Sequence, residues 1–195
     1  MSLNAAVEEK IDPRIKRTRS LLGQAFSEVL AQKGFHAVSV QDITEKAGVN
    51  RTTFYLHFPD KYALLDYSVS QMFRQELEKR MINACSYSPA NLRSLIIAVA
   101  EFIVYSRAHC PTVDAQFEAQ VETQVKKQVQ DLLQVWVEKL EFGAEARTEA
   151  IAGSWAIYGL ALEWARDKKH AEVQMFADRI SLLIQPILGV AVSQE

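Results

Sequence analysis

Apolar residues recur at three- and four-residue spacing along almost the whole chain, and the helix breakers stand between those stretches rather than inside them. With seven Gly and five Pro in 195 residues, this pattern commits the chain to an all-α fold, which we read as about nine helices. Arg14 to Lys33 carries Leu22, Phe26, Val29 and Leu30 on one stripe, with Gly34 where a C-terminal cap belongs. Ser39 can cap a short second helix that turns Val40, Ile43 and Ala47 inward and stops at Gly48. Val49 and Asn50 make a turn, and Arg51 to His57 forms a third helix with Phe54 and Phe58 inward. At 100° per residue, Thr52, Tyr55 and Leu56 then project away.

A long helix follows from Asp60 to about Ala84, with Leu65, Val69, Met72 or Phe73, and Leu77 on its inner side. Ser88 and Pro89 open a fifth helix, whose inward set is Leu92, Leu95, Ile96, Val99, Phe102 and Ile103, and His109, Cys110 and Pro111 interrupt it. Residues 113–141 present Phe117, Val121, Val125, Val129, Leu132, Leu133, Trp136 and Leu140 on one face. The stretch AIAGSWAIYGLALEWA, residues 150–165, is apolar nearly all round and demands cover on more than one side. The last helix, from about Ala171, shows Val173, Phe176, Ile180, Leu183, Ile184 and Ile187, and Pro186 kinks or ends it.

Several function classes drop out. The share of hydrophobic residues, 49%, supports a buried core and is far from the composition of disordered chains. No apolar run reaches the roughly 20 residues that span a bilayer. Glu8, Glu9, Lys10, Asp12 and Arg14 exclude a signal peptide, which points to a cytoplasmic protein. Cys85 and Cys110 lack CxxC or zinc-ligand spacing, and His36, His57, His109 and His170 are scattered, so neither a metal nor a cofactor is implied. Asp114, Glu118 and Glu122 share a helix without any nucleophile elbow, paired His–carboxylate motif or phosphate loop, which argues against an enzyme.

Charge is divided. Residues 1–61 hold nine Lys/Arg against seven Asp/Glu, whereas residues 62–195 hold 13 against 17. A cationic N-terminal third on an anionic body suits phosphate, and the two short helices joined by a Gly-containing turn have the plan of a helix-turn-helix. Arg51, Thr52 and Thr53 open the second of them, where donors and hydroxyls read base edges. Gln41, Lys61, Arg14, Lys16, Arg17 and Arg19 are placed for phosphates. Tyr55 points outward, and His57 is expected to divide between packing and phosphate contact.

The segment VSVQDITEKAGVNRTTFYLHFPDKYALL, residues 38–65, resembles the DNA-binding signature of TetR/AcrR-family transcriptional regulators. The Gly-Val turn, the Thr-aromatic-Tyr-x-His-Phe segment and the Lys opening the next helix carry the likeness. It implies that Arg51, Thr52, Thr53, Tyr55, His57 and Lys61 contact a pseudo-palindromic double-stranded operator. Where some members have Arg or Thr, this chain has Val40 and Gln41, so Gln41 is assigned to a phosphate. The implied organisation is a flexible tail over 1–12, a three-helix DNA-binding domain over 13–61, and a helical ligand-binding and dimerisation domain over 62–195.

Such regulators dimerise through their last two helices, here about 144–167 and 171–188. Those helices carry more apolar surface than one monomer hides, and Gly153, Ala156 and Gly159 would let helices approach closely. For an unidentified small-molecule effector the candidate pocket residues are Phe102, Tyr105, Phe117, Trp136, Trp155, Tyr158 and Glu163. Trp155, Tyr158 and Glu163 together would suit a cationic lipophile. The competing readings are a helical interaction module without DNA affinity, which leaves Arg51 and Lys61 without a role, and a helical-bundle enzyme.

Overall fold

The computed structural model describes residues 12–80, 86–108, 115–140, 145–167 and 169–190. Among them are eight helices and no strand: α1 Pro13–Lys33, α2 Val40–Ala47, α3 Arg51–His57, α4 Lys61–Lys79, α5 Pro89–Ala108, α6 Ala115–Val137, α7 Ala146–Arg166 and α8 Val173–Ile187. Cys85, His109, Cys110 and Asp114 lie outside the described residues, as does the proposed tail apart from Asp12. Asp12 is the N-cap of α1, its carboxylate accepting from Arg14 N–H, with Pro13 in the first helical position, where a missing N–H costs nothing.

The described residues form two compact units. One holds the residues up to Met72 together with Ser106–Val121, and the other holds Phe73–Tyr105 and everything from Glu122 onward. In the first unit, α1 packs on α2 and α3, and α2 on α3. Leu22, Phe26, Phe35, Ile43, Phe54, Leu64 and Leu65 are almost wholly buried there. Phe35 is its aromatic hub, with Phe26, Tyr62 and Phe117 at 6.3, 5.3 and 6.2 Å between ring centroids. Gln116 Oε1 accepts from Tyr62 Oη within the same unit, and Arg107 pairs with Glu118.

In the second unit, α5 carries nine buried residues, and the six expected inward are all among them. This helix is long and apolar enough to cross a bilayer by length and composition, contrary to the expectation of no such run, but its inner residues are those of a core helix. Phe73 meets Phe102 at 5.1 Å, and Tyr87 stands edge-on to the wholly buried Trp136. α7 packs against α8. A Cβ on Gly153 would come within 3.0 Å of a Leu133 methyl and 3.1 Å of a Leu188 methyl, so this glycine serves packing inside the chain. Gly159, about 120° round α7 from Gly153, has open space beside it. Leu183, expected inward, is exposed, and Ala177 takes its place beside Ile180 and Ile184.

Candidate nucleic-acid interface

Two short helices hold their shape here because each carries its own start signal. Ser39 caps α2 in a reciprocal box: Asp42 N–H donates to Ser39 Oγ, and Ser39 N–H donates to Asp42 Oδ2 at 3.0 Å. Lys33 Nζ lies 2.5 Å from the other Asp42 oxygen. The Lys33 ammonium first, then the Ser39 hydroxyl and backbone N–H, lower the Asp42 carboxyl to about 2. Gly48 ends α2 in the left-handed region at φ 66°, a conformation that glycine adopts without penalty.

Asn50 then caps α3, its Oδ1 accepting from Thr53 N–H at 2.7 Å and from the Thr53 hydroxyl at 2.9 Å. Phe54 and Phe58 anchor α3 on its inner side, buried and 6.0 Å apart. The anchoring leaves Arg51, Thr52, Tyr55 and Leu56 exposed. Thr53 and His57 are half-buried, and the Thr53 hydroxyl proton is spent on the cap rather than offered outward. Gln41 is exposed at the start of α2 with its amide on Glu45 at 2.8 Å.

Two cations read as phosphate ligands point elsewhere. Lys61 donates from Nζ to the carbonyls of Phe35, His36 and Val38 at 3.0, 3.2 and 2.9 Å and lies 4.8 Å from the Phe35 ring. All three ammonium protons are engaged, so its evident work is to fasten the turn between α1 and α2 to the start of α4. A cation at a helix N-terminus faces the unfavourable end of the dipole, and reaching away to three carbonyls relieves that. Arg19 likewise lies over the rings of Phe58 and Tyr67, at 5.7 and 6.0 Å, instead of facing outward. Arg14, Lys16 and Arg17 at the start of α1 are exposed.

Residues 24–67, which span α2, α3, the later part of α1 and the start of α4, match the family model described as bacterial regulatory proteins, tetR family. The likeness to that family covers this segment, less than a quarter of the chain. Over 59 residues it is 46% identical to the uncharacterized HTH-type transcriptional regulator YxbF of Bacillus subtilis (strain 168), a match covering 30% of this chain and 16% of that protein. The chain spans less than a third of the length of the curated relatives it matches. A TetR-family regulator from Streptomyces coelicolor A3 shares the fold at 18% identity and a TM-score of 0.63, over 91% of this chain and 97% of that one. The regulator FadR from Bacillus subtilis, solved in complex with stearoyl-CoA, aligns at 16% identity and a TM-score of 0.54, over 85% and 96% of the two chains.

The candidate pocket residues divide between the two units and between buried and exposed positions. Phe102, Trp136 and Tyr158 are buried in the second unit, but Phe117 belongs to the first, against Phe35. Tyr105, Trp155 and Glu163 are exposed. Trp155 already has Lys126 Nζ 3.5 Å from its ring centroid, and Glu163 pairs with Arg166 at 2.9 Å. Within the trio Trp155, Tyr158 and Glu163, Tyr158 is buried while the other two are exposed. Among the described residues no three His, Cys, Asp or Glu side chains are grouped to hold a metal.

Proposed function

We propose that this chain is a sequence-specific DNA-binding transcriptional regulator, a repressor that leaves its operator when a small molecule binds. The observation that carries the reading is α3: capped at Asn50, anchored by Phe54 and Phe58, and presenting Arg51, Thr52 and Tyr55 outward. Such a helix inserts into the major groove, with Arg51 suited to guanine and the exposed cations at the start of α1 suited to the flanking phosphates. Residues 13–61 would form the DNA-binding part, with Gln41, Thr53 and His57 contributing at its edges and Lys61 positioning rather than touching DNA. Residues 62–195 would serve effector binding and dimerisation, and the protein would act in the cytoplasm.

Dimerisation is supported by an apolar face that α7 and α8 leave uncovered. Ile151, Trp155 and Leu160 on α7 and Met175, Leu182 and Leu183 on α8 are all exposed. Met175 and Leu182 lie opposite the buried residues of α8; on α7 Trp155 and Gly159 face away from the buried stripe, with Ile151 and Leu160 at its two margins, and the open side of Gly159 admits a close neighbour. A two-fold dimer presents two copies of α3 to the half-sites of a pseudo-palindrome. An effector that binds one dimer state better than another lowers operator affinity by that difference in binding free energy, and acyl-CoA thioesters are a class to test first in view of the FadR likeness.

The deciding experiment selects fragments from genomic DNA with the purified protein and measures gel shifts on what is recovered. Arg51→Ala and Tyr55→Ala should each weaken specific binding by about 1 to 3 kcal/mol. Unchanged binding in both variants would remove α3 from the interface.

A further inference from the structure

Leu56 is 79% exposed, the most open of the large hydrophobic side chains on α3 and more open than Tyr55 at 50%. It follows Phe54 by 200° around the helix, so the anchor that buries Phe54 holds Leu56 on the far side. Thr52 lies four residues earlier on the same line of the helix surface, and Tyr55 is its neighbour on that face. A leucine has no hydrogen bond to give to a phosphate or to a base edge. On the major-groove surface, the feature that complements an aliphatic side chain is the C5-methyl group of thymine.

We propose that Leu56 is a specificity-determining residue that reads a thymine methyl in each operator half-site. The inference rests on the DNA-binding reading above and adds the chemistry of one base position to it. Arg51 and Thr52 at the opening of α3 address hydrogen-bonding groups. One turn further along, Leu56 offers only apolar surface, so the base pair beneath it is distinguished by its methyl group and not by a donor or acceptor. Water leaves both apolar surfaces when they meet, which favours thymine over a base lacking the methyl.

The test replaces each thymine of a selected operator, one position per half-site at a time, by deoxyuridine, which keeps base pairing and removes only the methyl. The wild-type protein should lose about five- to tenfold in affinity at one such position, and Leu56→Ala should bind the thymine and deoxyuridine forms of that site equally. Thr52→Ser, which keeps the hydroxyl and removes the methyl of the neighbouring side chain, should retain the wild-type discrimination. Circular dichroism identical to wild type is expected for Leu56→Ala, because its side chain is outside the core. Wild-type protein indifferent to every replacement, or Leu56→Ala keeping the discrimination, or Thr52→Ser losing it, overturns the assignment while leaving DNA binding intact. Failure of the wild-type protein to recover any specific DNA overturns the regulator reading itself.

Discussion

Replacing Lys61 with Met removes an ammonium group while keeping an unbranched stem of similar length beside Phe35, which isolates the three hydrogen bonds to the Phe35, His36 and Val38 carbonyls. Hydrogen bonds involving a charged group contribute about 1.5 to 3 kcal/mol each net of desolvation, so three independent ones would be worth on the order of 5 to 9 kcal/mol. Ordering the lysine side chain costs up to about 2 kcal/mol. The His36 carbonyl lies in an exposed contact, where water replaces the lost donor. Three bonds that share one ammonium are not additive, and the net loss on substitution comes to about 2 to 3 kcal/mol. Urea unfolding of the full chain, followed by far-ultraviolet circular dichroism, reads this as a lowered midpoint with little change in slope. The dependence of DNA affinity on salt should stay as in the wild type, because no phosphate contact is lost. A variant that melts like the wild type and loses about one unit of salt slope would refute the reasoning and return Lys61 to the phosphate backbone.

Gly48→Ala should destabilise the protein by about 1 to 2 kcal/mol with Gly48→Asn milder, because a Cβ there meets open space and the whole cost is the left-handed backbone at φ 66°; equal midpoints for glycine and alanine in urea would count against this. Asp42 has its carboxyl lowered from 3.8 to about 2, so the stability it contributes is complete above about pH 4 and is lost as the pH falls through about 2. The wild type should accordingly lose stability more steeply over that interval than Asp42→Asn, and parallel curves from acid-dependent urea midpoints would contradict it. Leu183→Arg should give a folded monomer by analytical ultracentrifugation with unchanged helicity, whereas an unfolded product would place Leu183 in the core of its own chain.

The parts of this fold legible in the sequence are those encoded within a few residues. The stripe on α1, the Ser39 and Asn50 turns, Gly48 and the Phe54–Phe58 pair are all local, and each is seen where periodicity and capping chemistry put it. Contacts between distant residues were not legible. Lys61 reaches carbonyls 23 to 26 positions earlier, and a lysine opening a helix carries no mark of that. Phe117 lies on an ordinary apolar stripe of α6, but its ring partner is Phe35. On α8 Ile180 and Ile184 are buried as expected, but Leu183 was misplaced for a different reason: it is as apolar as they are, and only packing chooses among them. Leu56 was visible in sequence as an outward apolar residue, but only its exposure distinguishes it from a side chain covered by a neighbour.

Because α2 and α3 each start on their own cap and α3 is held from behind by two phenylalanines, the side chains at 51, 52, 55 and 56 contribute little to keeping the domain folded. On the proposed DNA-binding reading, those positions would behave as a replaceable label, open to rewriting toward a different stretch of DNA without the fold having to be solved again. A library randomised at these four positions should therefore contain mostly folded members, and their diversity should appear in which sequences they bind rather than in whether they melt.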